Sequence, residues 1–536
     1  MTTADCHPTT TVPGTSRLFA DFCAGEAGAR DFYGMAAEWM EPVARPQHVA
    51  ELAELLAGQN PARERGPAVE QALEALRFGA GVVVTGQQVG LFGGPMYTAL
   101  KAATAVARAR QATAAGRPHV AVFWLATEDH DFAEIDHVTF PARRELKKLK
   151  YGRAPEIARP VGGVVLDETL LPLLGQAWEL VGHSDAMEAL AAAYKPGRTF
   201  AEAFAKFYGK VFGPQGLLVL DAGGRAAHRM GARVLRAGLE RADELHAALV
   251  ERNAALVAAG YHAQVPVGAE SSLLFLMDEK MGARVALKRT RATAAEPKGA
   301  WQAGRTSYST DELLGILEAE PERISPSALL RPVFQDALLG TSLTIGGPAE
   351  IAYFAQSAVV FERILGRMTP LEPRLSATLV EPAVAELLRR HELEPERIFG
   401  ETADSLAQRL GARAMPVEGK RKLSAAGQAL DAELEPLLEW MRTLDAGLGR
   451  SGATAASKMR YQMNRLRRLA ANFQLQKEES LKRHAEAICE AIYPEGALQE
   501  RVHGAAYYFG RYGLELAEVL TERAAESCAG HQVVWL

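Results

Sequence analysis

The chain has 536 residues, 48% of them hydrophobic, enough for a sizeable core and, on length alone, for about three or four domains. Its formal net charge of -5 argues against a general nucleic-acid binder, although a local basic patch is compatible with it. Four widely spaced cysteines, Cys6, Cys23, Cys489 and Cys528, form no C-x-x-C pair, which predicts a reduced, cytosolic chain with neither a zinc ribbon nor a disulfide framework.

The first residues lack a basic segment followed by an apolar one, so no signal peptide is expected, and no run is long and apolar enough to span a membrane. Residues 1–75 read as a helical lead-in, with Leu52, Leu55 and Leu56 on one face and Pro61 as an interruption. Val82, Val83 and Val84 then predict a short buried strand. Gly86, Gly90, Gly93 and Gly94 follow, Pro95 stands at a first helical position, and the alanine-rich stretch from Met96 to about Arg110 reads as a helix. Strand, glycine turn and helix can bring backbone N–H groups up to an anion, or can simply make a tight turn. The spacing matches neither G-x-x-x-x-G-K-[ST] nor G-x-G-x-x-G, but Gln87 and Gln88 offer donors and acceptors to a polar ligand.

The run from His119 to Ala126 predicts a second strand, and the βαβ unit so formed implies a parallel sheet. The loops at 85–95 and 127–131 both leave carboxyl ends of strands, so they should face one crevice. Further apolar runs end at Asp221 and at Gly346-Gly347-Pro348, while residues 277–325, more polar, read as an insertion. Residues 424–490 are rich in Ala, Glu, Leu, Lys and Arg and predict two long helices folded as a hairpin, broken near Gly447–Gly452. Met459, Met463, Leu466 and Leu469 keep helical spacing and read as packing; Arg460, Arg465, Arg467 and Arg468 read as a solvated face. A last helix after Pro494 leads to His531–Leu536, read as an edge strand.

The densest chemistry lies at the end of the second strand, where Glu128, Asp129, His130 and Asp131 stand in a row and Glu134, Asp136 and His137 follow. They could be a solvated loop, carboxylate ligands for a hard cation such as Mg²⁺, or a general base with His130 oriented by a neighbouring acid. Were the segment helical, His130, Glu134 and His137 would share a face, a weaker zinc pattern than H-E-x-x-H. Arg331 and Arg374 could each clamp a carboxylate or serve as a structural ion pair.

Three motifs make the chain recognisable: Thr85–Tyr97 (TGQQVGLFGGPMY), Phe123–Asp131 (FWLATEDHD), and Arg331–Asp336 (RPVFQD) with Gly346–Phe354 (GGPAEIAYF). Together they resemble the bacillithiol biosynthesis cysteine-adding enzyme family, BshC, over nearly the whole chain. Ser327 and Gly340 depart from it, standing where the family usually has Asn and Pro. The resemblance implies an α/β fold: a Rossmann-like parallel-sheet core related to class I nucleotidyltransferases, with inserted segments and a C-terminal α-helical coiled coil that forms a homodimer. It implies a cytoplasmic ligase that adds L-cysteine to the amine of glucosaminyl malate, with no nucleic-acid or membrane partner. The H-x-G-H signature of class I synthetases is absent, and Thr85–Gln88 stands where it would fall. Whether ATP or ADP and Mg²⁺ take part stays open.

On this reading His130, or one of Glu128, Asp129 and Asp131, takes the amine proton. Gln87, Gln88 and the N–H groups near Gly93 and Gly94 hold a carboxyl or phosphate. Lys101, Arg331 and Arg374 face the malyl carboxylates. The motifs add Thr85, Gly86, Tyr97, Trp124, Gln335, Asp336, Gly347, Glu350 and Tyr353 as substrate or nucleotide contacts. The chain divides into a helical lead-in (1–75), a first core part (76–276), an insertion (277–325), a second core part (326–423), a helical hairpin (424–492) and a closing helix and strand (493–536). The alternatives are a nucleotide-binding scaffold with a coiled-coil interaction arm, and a metal-dependent hydrolase.

Overall fold

A computed structural model describes residues 5–34, 39, 48–61, 66–142, 145–152, 154–155, 157–278, 282–290, 300–477 and 479–536. The central sheet has five strands in the order Leu371–Pro373, Thr341–Gly346, Gly81–Gln87, His119–Leu125, Leu218–Asp221, and every neighbouring pair is parallel. The strands read as unbroken apolar runs because both faces of the sheet are covered. Val83, Phe123, Leu125 and Val219 point to one side, against the helices Met96–Ala114 and Phe200–Phe212. Val82, Val84, Val122 and Leu220 point to the other, against Arg225–Glu240 and Pro348–Leu365. This is the two-residue period of a strand, applied to two cores instead of one.

The chain enters this sheet in the middle. From Gly81–Gln87 it moves outward through His119–Leu125 to Leu218–Asp221. It then returns to the opposite side at Thr341–Gly346. The order therefore reverses between Gly81–Gln87 and Thr341–Gly346, and connections leave their carboxyl ends in opposite directions, opening a crevice there.

A second sheet, antiparallel at every pairing, joins Ser271–Met277, Arg284–Arg289, Trp301–Ala303, Thr306–Tyr308 and Ile324–Pro326. It takes in most of the stretch read as an insertion and begins a few residues earlier. The helix Arg331–Leu339 that follows ends on Gly340 with φ +61°, a conformation closed to the proline that the family usually carries.

A third sheet closes the molecule. Gly530–Trp535 pairs in parallel with Ser376–Val380 on one side and antiparallel with Asp5–Pro8 on the other. The C-terminal strand is thus central, not an edge as its sequence position suggested. The same pairing brings the chain ends together, and Cys6 and Cys528 form a disulfide. That corrects the expectation of a chain without disulfides: 522 residues separate the pair, and spacing cannot reveal a contact made by two strands at opposite ends. Cys23 and Cys489 are free.

The hairpin consists of Val417–Leu444 and Ala446–Lys477, with only the extended Asp445 between them. Gly449 and Gly452 do not break the second helix. A Cβ on them would lie 2.7 Å from Arg442 Cγ and 2.8 Å from Met441 Sδ, so these glycines let the helices cross closely. Leu434, Leu438 and Ala456 fill that contact. Met459, Leu466 and Leu469, read as packing, are more than half exposed in the single chain.

The helix Met96–Ala114, which carries much of the crevice, is capped by the C-terminal region. Met96 N donates to His503 O at 2.8 Å, and Ala505 N donates to Gly94 O at 3.0 Å. His503 is fully buried, donating from Nε2 to Glu490 O and accepting from Tyr508 Oη at Nδ1. Burial pushes its pKa down to about 3, and that of His531 in the third sheet to about 4. Both are neutral in the fold, whereas the unfolded chain takes up their protons near pH 6.5. Their contribution is complete above about pH 6.5 and is lost as pH falls toward 4, at ~1.4 kcal/mol per unit for each. Melting temperature followed from pH 8 to pH 4 should therefore fall, and His503→Phe should flatten that slope even though its absolute stability is lower.

Candidate functional site

At the reversal point of the central sheet lies a cavity of about 350 Å³. Its walls are the ends of the two strands that diverge there, the loop after His119–Leu125, and the first turns of Arg331–Leu339 and Pro348–Leu365. Of the residues singled out in the sequence, it collects Gly86, Gln87, Gln88, Tyr97, Lys101, Asp129, Arg331, Gly347, Glu350, Tyr353 and Arg374. These come from all three motifs and are spread over nearly 290 positions of chain (~290 from Gly86 to Arg374).

The floor is set by Lys101. Its ammonium donates to Gly86 O (2.7 Å) and Gln87 Oε1 (2.9 Å) and pairs with Glu350. Three donors meet three acceptors, so no proton is left for a substrate. Burial lowers its pKa while Glu350 opposes that shift. In this structure Lys101 fastens the two halves of the crevice together; the sequence reading has it face a malyl carboxylate.

One wall is cationic. Arg331 donates from Nη1 to Gln335 Oε1 at 3.1 Å and from Nη2 to Tyr353 Oη, and it reaches over the strand end at Gly86. A Cβ at residue 86 would lie 3.6 Å from Arg331 Nη1, so glycine keeps that approach open. Arg374 is buried, gives Nη2 to Glu500 Oε1 (2.5 Å) and Nη1 to Leu375 O (2.7 Å), and keeps a buried Nε–H without a partner. That Nε lies 3.6 Å from where a Cβ on Gly347 would stand, beside the N-terminus of Pro348–Leu365. Arg501, exposed and outside the three motifs and the candidate site residues, completes this wall. A buried unpaired donor among guanidinium groups and a helix N-terminus is a site that gains by accepting an anion.

The facing wall is acidic. Gln88 Nε2 donates to Asp129 Oδ2 (2.6 Å) and Glu134 Oε2 (2.7 Å) and so holds the two carboxylates side by side. The backbone N–H of His130 fixes Asp129 Oδ1 at 2.7 Å.

The other predicted residues lie elsewhere. Thr85, Trp124, Gln335 and Asp336 are buried in the core; Asp336 accepts from Thr341 N and Arg367. Gly93 and Gly94 are buried too. Gly93 N donates to Tyr194 Oη, Gly94 N donates to Leu91 O, and Tyr208 Oη donates to Gly93 O. The first glycine turn is thus a packing device clamped by two tyrosines, and its N–H groups are not free to hold an anion. The helix after it is covered by His503.

Glu128 lines a separate cavity of about 930 Å³ on the far side of its loop, where its carboxylate lies 2.9 Å from Nε2 of the fully buried His228. His228 Nδ1 donates to the carbonyls of Pro321 and Ile324. Burial opposes charge on this ring, but Glu128 outweighs it and the pKa is raised. Asp131 is exposed. His130 lines neither cavity. Its Nδ1 faces Arg284 Nη1 at 3.4 Å, and that guanidinium is itself held by Ser325 Oγ, Pro326 O and the Phe275 ring. Asp129 Oδ1 lies 3.8 Å from the same Nδ1, so this nitrogen is turned to neighbours within the fold. The helical zinc reading fails as well: the helix Phe132–Ile135 begins after His130 and ends before His137, which pairs with Asp136. Among the described residues no three His, Cys, Asp or Glu side chains gather as a metal set.

Comparison with known proteins agrees in both halves of the chain. Residues 4–375 match the family model for the N-terminal Rossmann-like domain of bacillithiol biosynthesis BshC, and residues 377–536 match its C-terminal coiled-coil domain. The chain is 40% identical to a protein of Koribacter versatilis (strain Ellin345) over 99% of both chains, and 33% identical to one of Solibacter usitatus (strain Ellin6076) over 99% of both. A Geobacillus kaustophilus (strain HTA426) protein is 31% identical over 85% of this chain and 84% of its own. All three carry the name "Putative cysteine ligase BshC".

The role of Lys101 has a direct test. Lys101→Met strands the Glu350 carboxylate and two further acceptors, which should cost about 3–5 kcal/mol of stability. A lowered melting temperature, partly restored by adding Glu350→Gln, is the expected result. An unchanged melting temperature with a raised KM would instead make Lys101 a substrate ligand.

Proposed function

The chain belongs to the bacillithiol biosynthesis BshC family, and from that premise we propose that it is the ligase joining the carboxyl of L-cysteine to the amine of glucosaminyl malate. The observation that carries the substrate assignment is the polarity of the cavity. Arg331, Arg374 with its unpaired Nε–H, and Arg501 line one side, and Asp129 and Glu134 line the other. Glucosaminyl malate has the matching polarity, two carboxylates at one end and an amine at the other. The malyl end lies against the arginines, where planar forks suit carboxylates. The amine end lies against Asp129.

In the reaction the amine nitrogen attacks the activated cysteine carboxyl carbon, the C–N bond forms, the leaving group departs, and Asp129 receives the amine proton. Glu134 and Gln88 hold Asp129 in place. Asp129 takes this role ahead of His130 because its carboxylate borders the cavity and the ring does not. Carboxylate and amine do not condense unaided in water, and a nucleotide such as ATP would supply the group that lets the carboxyl oxygen leave. Arg331, Arg501 and the N-terminus of Pro348–Leu365 have the chemistry to hold its phosphates. On this reading the enzyme works in the cytoplasm. Among the described residues no helix is long and apolar enough to cross a membrane.

Incubation with cysteine, glucosaminyl malate and ATP, followed by mass spectrometry, should yield the cysteinyl product together with AMP or ADP. Asp129→Asn should lower turnover by about 10²–10⁴-fold, the usual worth of a general base. His130→Asn should stay within several-fold of the parent. A collapse in His130→Asn with near-normal Asp129→Asn reverses the assignment, and no thiol product from the parent enzyme refutes the function.

The hairpin makes the enzyme a homodimer on this reading. Trp440, Leu444, Leu466, Leu469 and Phe473 are each more than half exposed on the two long helices, and pairing with a second copy would cover them. Sedimentation should show a dimer at micromolar concentration and a monomer for Leu466→Glu/Leu469→Glu.

A further inference from the structure

A cavity of about 390 Å³ lies behind the cationic wall of the candidate site and shares Pro348, Ala349, Arg374 and Arg501 with it. On its other side it is bordered by Cys528, whose sulfur is bonded to Cys6. Cys6 is exposed, and its strand Asp5–Pro8 is held by a four-residue ladder to Gly530–Trp535, with no strand on its outer edge among the described residues. Arg501, between the two cavities, is exposed, and among the described residues no carboxylate lies within ion-pair distance of it. A disulfide at the surface, one cavity away from a site that handles thiols, is open to exchange.

We propose that the Cys6–Cys528 bond is an exchange site for small thiols that carry a carboxylate, with Arg501 drawing the carboxylate to the cavity it borders. The incoming thiolate attacks Cys528 Sγ, the sulfur of the residue that borders the cavity. The Cys6–Cys528 bond breaks, a mixed disulfide forms on Cys528, and the electron pair leaves on Cys6 Sγ, which then takes a proton from water. A second thiolate attacks the mixed disulfide at the small-molecule sulfur and frees Cys528 as a thiolate. In sum, two small thiols are oxidised to their disulfide and two cysteines are reduced, with no other reactant. Reduction removes the covalent tie of Asp5–Pro8 and leaves its four-residue ladder and the His7–Glu396 contact. The proposal rests on the function above only for the source of such thiols: cysteine carries one carboxylate, and a cysteinyl product of glucosaminyl malate carries two.

The experiment reads exchange, not turnover, so it stands or falls separately from the ligase assignment. Oxidised full-length protein is treated under native conditions with 3-mercaptopropionate or 2-mercaptoethanol at equal thiolate concentration, quenched by alkylation, and weighed intact. The expected result is several-fold faster opening by the carboxylate-bearing thiol, with an adduct on Cys528, and loss of that advantage in Arg501→Gln. Cys6→Ser, incubated with the oxidised form of 3-mercaptopropionate, should take the same adduct on Cys528. Equal rates for the two thiols overturn the role of Arg501. A bond that opens only as fast as the protein unfolds, or four free thiols after mild oxidation, overturns the exchange site.

Discussion

A buried ammonium holds the crevice together. Lys101 sits on the helix that follows the first core strand, yet it bonds the carbonyl of Gly86 and the side chain of Gln87 at that strand's end, and the carboxylate of Glu350 on the helix after the fourth. Those two strands are neighbours whose connections run in opposite directions. Nothing in the parallel ladder itself fixes how far the two helices stand apart beyond it. A charge removed from water costs several kcal/mol unless its partners are well placed, so the three acceptors must converge on one point. That requirement sets the spacing of the cavity walls, and with it the distance between the arginines and the acids that face each other.

The parallel core was legible in the sequence because each strand is apolar on both faces and ends where glycines or charges begin. Val82–Val84 and the run from His119 read as strands for that reason, and the helices between them as crossovers. The hairpin was legible from composition, although its glycines were read as a break when they are the crossing contact. What stayed hidden depends on partners far away in the chain. The tyrosines that clamp the first glycine turn come about 100 residues later, and its helix is capped by His503 from the far end. The disulfide and the central position of the last strand follow from the meeting of the two termini. A periodic pattern records which face of an element is buried, and says nothing of which distant segment buries it.

The candidate site shows the same division. Side chains from all three sequence motifs line one cavity. The motifs could not separate the residues that face the cavity from those that brace it. Trp124, Gln335 and Asp336 are as prominent in the motifs as Gln88 or Arg331, but they are buried behind the walls. Within the acidic run, adjacent residues diverge because the segment is a loop: Asp129 turns to the small cavity, Glu128 to the large one and to His228, and His130 to Arg284. Arg501 ends a closing segment, Gly496–Arg501, that shares the resemblance, but no feature of the sequence assigns it a place in the site.

Two glycine-glycine-proline turns lead into helices in this chain, and they have opposite fates. At Gly93-Gly94-Pro95 the turn packs against Tyr194, Tyr208 and Phe207, its N–H groups are consumed inside the fold, and a carbonyl of the C-terminal region sits on the helix end. At Gly346-Gly347-Pro348 the helix end opens on the cavity, with Arg374 presenting an unpaired donor beside it. Both helix ends carry the same partial positive charge. The difference lies in what competes for it. The first is satisfied by the protein's own carbonyl, so an anion there would have to displace His503. The second has Glu350 on the N–H of Gly347, while Lys101 balances that carboxylate and the arginines add positive charge around it. A glycine-rich turn before a helix is therefore an offer of an anion site, and the rest of the fold decides which of the two offers stays open.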